Sequence, residues 1–166
     1  MSTQPSIPPE TQTASSEALA LLLVEARYER LHAAFMMAAT ALALGRPVIL
    51  FGMGSGVAAF CRSWSGVPEH VPGEAGRLNA GVAGVEVLRD AVQEMGAEMM
   101  VCDSGLKAMN LAPQDLVEGV RVVGLPTFLD CAATARQLVF EAVRLGHVCP
   151  GRVRCAGFWS RAEKAL

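Results

Sequence analysis

The chain has 166 residues, 52% of them hydrophobic and 18% charged, enough apolar material for one core and too few residues for two ordinary domains. A mean hydropathy of +0.34 argues against intrinsic disorder and implies that another subunit covers part of the apolar surface. A net charge of −2 with 5% aromatic residues leaves neither a basic footprint nor stacking rings for nucleic acid.

Residues 1–16 are rich in Ser, Thr, Gln and Pro and read as a flexible arm. No basic residue precedes the apolar run, and Glu17 stands where a secretory leader disfavours charge, so the expected compartment is the cytoplasm. Ala18–Val24 is a candidate first strand, although its Ala and Leu suit a helix as well. From Glu25 the pattern turns helical, with Tyr28, Leu31, Phe35, Ala38 and Leu42 on one stripe and Gly45 as terminator. The apolar run Leu31–Leu44 is shorter than the ~20 residues of a bilayer span, so no membrane segment is expected. Pro47–Phe51 reads as a strand apolar on both faces, broken by Gly52, Gly54 and Gly56, with Val57–Phe60 starting a short helix.

Arg62–Ala80 reads as a long loop. Its Trp64 either pins the loop to the body or belongs to a lid over substrate. A helix follows, with Val85, Leu88, Val92 and Met95 inside and Glu86, Arg89, Asp90, Gln93 and Glu94 on the wet side. Gly96 ends it. Ala97–Cys102 is the next strand, Ser104–Asn110 a helical turn, and Pro113 a possible helix start. Val120–Leu125 is a fourth strand, and Thr127 and Asp130 suggest the capped start of another helix. Leu138–Phe140 fits either a continuation of that helix or a last short strand.

Strands alternating with helices imply an α/β domain over residues 17–145, followed by a tail at 146–166. The expected architecture is a mostly parallel sheet with helices on both faces, a flavodoxin-like three-layer sandwich. Ligands of such sheets gather beyond the carboxyl ends of the strands. That edge would join Gly54, Ser55 and Gly56 with Cys102, Asp103 and Ser104, and with Pro126 and Thr127. A thiol at a strand end before a helical turn can have its thiolate stabilised by backbone N–H groups, whereas the adjacent Asp103 opposes ionisation. The bland alternative for Cys102 is a small buried hydrophobe. His32 or His70 would have to approach through space to act as its base.

The glycine turn lacks the spacing of a dinucleotide fingerprint or a P-loop, so no nucleotide or flavin cofactor is expected. The chain has five cysteines and no CxxC, so no metal site is expected. Cys61 and Cys131 read as packing residues. Cys149 and Cys155 suit either a disulfide or resolving thiols, and His147 reads as a solvated residue near a helix end.

Two segments, AFMMAATALALGRPVILFGMGSGV (Ala34–Val57) and VLRDAVQEMGAEMMVCDSGLKAMNLAPQDLVEGVRVVGLPTFLD (Val87–Asp130), resemble the DsrE/DsrF-like family. The resemblance spans Ala18–Phe140. It implies an α/β sandwich assembled as a trimer or hexamer, with the strand-end cysteine carrying persulfide sulfur in relay or oxidation pathways. That role falls on Cys102. Two features depart from the family pattern. Glu25-Ala26-Arg27 runs almost directly into the helix where members have a polar, site-forming loop, and the cysteine-bearing tail has no counterpart. The expected function is a cytoplasmic sulfur carrier or sulfurtransferase served by donor and acceptor proteins. The alternative is a non-catalytic homo-oligomeric module binding a small ligand or a protein.

Overall fold

Apolar runs at separate places in the chain become the strands of one sheet in the computed structural model, which describes residues 17–140. The strands are β1 (Leu19–Leu23), β2 (Val48–Gly52), β3 (Glu98–Cys102), β4 (Arg121–Val123) and β5 (Arg136–Phe140). They lie in the order β4-β3-β2-β1-β5, and every pairing is parallel. The helices between them are α1 (Tyr28–Ala43), α2 (His70–Asn79), α3 (Val85–Glu94), α4 (Asp103–Ala108) and α5 (Leu125–Cys131). Short 3-10 turns cover Gly54–Phe60, Trp64–Gly66 and Pro113–Asp115.

Alternation along the strands sends side chains to two different cores. Leu19, Leu21, Leu23, Leu50, Met99 and Val101 pack beneath α1 and α3, against Tyr28, Leu31, Phe35, Val85 and Val92. Ala20, Ile49, Phe51, Met100 and Cys102 face the other way and meet Phe128 and Ala132. The strand order explains the imbalance. Chain progress from β1 through β4 moves in one direction, and right-handed crossovers keep the intervening helices on one face. The return from β4 to β5, on the far side of β1, places α5 on the opposite face. There Phe128 stacks on Phe51 with ring centroids 4.4 Å apart.

Five expectations change, one of them Met95, read as inside the helix stripe but 43% exposed at the C-cap of α3. Arg62–Ala80 is not a long loop, because α2 occupies its second half. No residue of α2 is buried, so it has no apolar stripe to read in the sequence; side-chain tethers hold it instead. Arg89 leaves the wet side of α3 and is 7% exposed, drawn inward by an indole ring and a carbonyl described below. Thr127 does not cap the last helix. The strand stops at Val123, Gly124 takes the N-cap position in extended backbone, and Pro126 with its fixed φ occupies the first turn. Cys131, expected to pack, is exposed at the end of α5.

Leu138–Phe140 belongs to β5, paired with Leu21–Leu23. No helix among the described residues is long and apolar enough to cross a membrane. The arm at 1–16, the tail at 146–166 and the last residues assigned to the domain, 141–145, lie outside the described residues, as do His147, Cys149 and Cys155.

Candidate functional site

All strands being parallel, their carboxyl ends share one edge, and the small residues there let the connecting segments close upon one another. After β2 the chain turns at Gly54, whose φ is +54°. The Gly56 N–H donates to the Val24 carbonyl at 3.2 Å, and the Met53 N–H donates to the Leu23 carbonyl at 2.9 Å. A Cβ on Gly56 would lie 2.1 Å from the Leu23 carbonyl oxygen, so the position admits only glycine. On the other side, a Cβ on Gly105 would lie 3.1 Å from the Gly54 nitrogen and 3.6 Å from the Cys102 Cβ. The glycine turn, α4 and Cys102 are therefore packed together. Val123 is the register partner of Cys102, which places the start of α5, with Pro126 and Thr127, beside the same strand end.

Within that edge the candidates have different surroundings. Cys102 ends β3 and stands at the N-cap position of α4. It is a free thiol, 8% exposed, among Ile49, Phe51, Met100 and Phe128. Asp103 pairs with Lys107 one helical turn on, at 2.7 Å. Gly54, Ser55, Ser104, Pro126 and Thr127 are exposed, while Gly56 is buried. The Ser55 hydroxyl accepts the Ala26 N–H at 3.2 Å, which ties the glycine turn to the segment after β1. Glu25, Ala26 and Arg27 join Ser55, Gly66 and Pro68 around a hollow of about 250 Å3. The short connection after β1 thus lines a cavity despite its length. Cys102 is not among the residues lining that hollow.

Neither histidine serves Cys102. His32 hydrogen-bonds the Ala83 carbonyl at 2.9 Å, and His70 stacks on Trp64 at 4.8 Å; both are tied up with α1–α3 elements while Cys102 faces the α5 side. Trp64 pins its segment to the body, because the Arg89 guanidinium lies 4.3 Å from the centre of its ring and donates to the Cys61 carbonyl at 2.8 Å. Beside them Glu74 of α2 accepts from the Tyr28 hydroxyl at 3.0 Å and from the Val85 N–H at 2.6 Å. Burial, together with the Glu74 carboxylate, pushes the Tyr28 pKa up to about 12. Cys61 is buried as expected; burial, with the Asp115 charge, raises its pKa and disfavours the thiolate. No three His, Cys, Asp or Glu side chains among the described residues are grouped to hold a metal ion.

The model of the DsrE/DsrF-like family matches residues 18–140. The chain belongs to the DsrE/DsrF-like family. Membership places it in a family linked to sulfur relay. The ychN protein from E. coli shares the fold of this DsrE/DsrF-like chain at a TM-score of 0.54 and 18% identity, over 75% of this chain and 99% of that one. A protein of unknown function from Methanobacterium thermoautotrophicum, MTH1491, aligns at a TM-score of 0.47 and 15% identity, over 74% of this chain and 98% of its own. No curated protein matches the sequence.

Proposed function

We propose that this chain is a small cytoplasmic sulfur carrier, or sulfurtransferase, that holds sulfane sulfur on Cys102. The observation carrying this reading is the place of Cys102, which ends a strand at the carboxyl edge in a chain of the DsrE/DsrF-like family. In the forward step the Cys102 thiolate attacks the outer sulfur of a donor persulfide. The donor S–S bond breaks, the donor leaves as a thiolate, and Cys102 becomes the persulfide. In the return step an acceptor thiolate attacks that outer sulfur, and Cys102 leaves as a thiolate. The two exchanges conserve electrons, so the cycle calls for no redox cofactor. Gly54, Ser55, Asp103, Ser104, Pro126 and Thr127 form the rim against which donor and acceptor proteins dock, and the buried Gly56 holds the glycine turn in place behind it. The working form is a homo-oligomer, a trimer or hexamer.

The 8% exposure of Cys102 favours a second reading, in which the chain is a non-catalytic homo-oligomeric binding module and the thiol only packs. Loading the protein with a persulfide donor and mapping the added sulfur by peptide mass spectrometry separates the two. A carrier gains sulfur at Cys102 and loses that signal in a folded Cys102→Ser variant. A module gains none at Cys102, or labels only the exposed Cys131 and other accessible thiols.

A further inference from the structure

α2 lies against the body with its polar side inward. Its half-buried residues, at helical spacing, are His70, Gly73, Glu74 and Arg77, whereas Val71 and Leu78 are 78% and 79% exposed. The contacts of the inward side are polar or aromatic. Glu74 accepts from the Tyr28 hydroxyl at 3.0 Å and from the Val85 N–H at 2.6 Å. His70 stacks on Trp64 at 4.8 Å with its Nε2 3.2 Å from the Glu86 carboxylate, and Arg77 pairs with Glu29 in the first turn of α1. Lifting the helix exchanges these contacts for water and uncovers no buried side chain of its own, so opening costs far less than it would for a helix held by an apolar stripe.

Both ends of α2 are hinged between fixed points. Before it, the buried Val67 belongs to the core; after it, the Ala83 carbonyl is held by His32 at 2.9 Å and Val85 returns to the core. Between anchor and helix stand Glu69 at one end, with φ +63°, and Gly81 at the other, with φ +67°. Glu69 pays for that left-handed backbone, and a rotation there relieves the cost. What the helix covers is Tyr28. Gly73 packs on its ring with no room for a Cβ, His70 meets it edge-on with centroids 6.2 Å apart, and Tyr28 is 1% exposed. Tyr28 directly follows Arg27, which lines the hollow at the carboxyl edge together with Glu25 and Ser55.

We propose that α2 is a hinged lid, which swings on Glu69 and Gly81 while the rest of the protein stays folded and so opens the Tyr28 phenol to the hollow lined by Glu25, Arg27 and Ser55. The open form presents a carboxylate, a guanidinium and the Ser55 and Tyr28 hydroxyls along one cleft. The lid is independent of any chemistry at Cys102.

Hydrogen exchange and tyrosine nitration of the full-length protein test it. Amides of α2 are expected to exchange about a hundredfold faster than the buried amides of α1 and α3, with little dependence on sub-denaturing urea. Tyr28 is the one tyrosine of the chain, so nitration of the folded protein by tetranitromethane, located by peptide mass spectrometry, reads its uncovering alone. Arg77→Ala removes the exposed ion pair to Glu29 and is expected to raise nitration about threefold, with the urea midpoint close to that of the wild type. The Arg77 charge favours the reactive phenolate, so its loss would slow nitration if the lid stayed shut. Exchange of α2 in step with α3, at the same urea slope, would overturn the proposal, because the helix would then open only with the whole molecule. Nitration that is unchanged or slower in Arg77→Ala would overturn it as well, since α2 would not be what uncovers Tyr28.

Discussion

Arg89 holds two partners at once, the face of Trp64 at 4.3 Å and the Cys61 carbonyl at 2.8 Å. Arg89→Met removes the charge, leaves that carbonyl without its donor and keeps most of the side-chain volume. The expected loss is about 2–3 kcal/mol in urea unfolding, since a cation over a desolvated ring and a charge-assisted hydrogen bond go together. Tyr28 gives a test by pH. Its folded pKa of about 12 lies above the ordinary 10.0, so the unfolded chain releases the phenolic proton first. Its contribution is complete below pH 10 and is lost as pH rises through 10 towards 12. Urea midpoints are expected to fall more steeply across that window in the wild type than in Tyr28→Phe. At neutral pH the variant should lose about 1 kcal/mol with the Glu74 hydrogen bond.

At the scale of elements, α2 and the glycine turn show how one methyl group has local or global consequences. A Cβ on Gly73 would come within 2.4 Å of the Tyr28 ring, and α2 has no buried side chain of its own to resist displacement. Gly73→Ala is expected to free α2, raising proteolytic cleavage between residues 67 and 84 about tenfold or more, as a loss of about 1.4 kcal/mol against local opening implies. The circular dichroism of the rest should remain. In Gly56→Ala the obstacle is the Leu23 backbone itself, 2.1 Å away, so the junction between β1 and β2 must part and the protein should not fold; soluble yield and circular dichroism check it. The same elements explain what the sequence makes legible. β2 and β3 announce themselves as unbroken apolar runs because both their faces are covered. β5, read as Arg-Gln-Leu-Val-Phe at a sheet edge, has too few apolar residues to distinguish itself from the preceding helix. α2 is hidden because its tethers come from Tyr28, Trp64 and Val85, remote in sequence, and periodicity registers only a helix's own apolar stripe. Arg89 is hidden for a related reason: a helical wheel counts it as polar, whereas its partners make it a core residue.

Among the described residues the sheet has one thickly and one thinly covered face, and Cys102 lies beneath the thin one. On the α1 side, two long helices and the turn after β2 bury the sheet. On the other, the seven-residue α5 contributes Phe128 and Ala132, while its Leu125 and Leu129 stay 40% and 49% exposed. The sequence points to the edge on which Cys102 stands, but not to its cover, because the strand order that sends α5 to the far face depends on β5 pairing with β1. If α5 is what shields the thiol, loosening it must expose Cys102 before it exposes Cys61, which lies in the other core. Phe128→Leu retains much of the apolar volume but loses the stack on Phe51, while Phe128→Ala removes the ring at a cost of about 3–5 kcal/mol. Modification by an aromatic disulfide reagent, followed by peptide mass spectrometry, should therefore label Cys131 at once in every variant. Cys102 should react faster in Phe128→Leu than in the wild type, and faster still in Phe128→Ala where that variant remains folded. Cys61 should stay slow. Equal rates for Cys102 and Cys61 in the leucine variant would mean that both thiols open only through global unfolding, which would remove α5 as the element that controls access to Cys102.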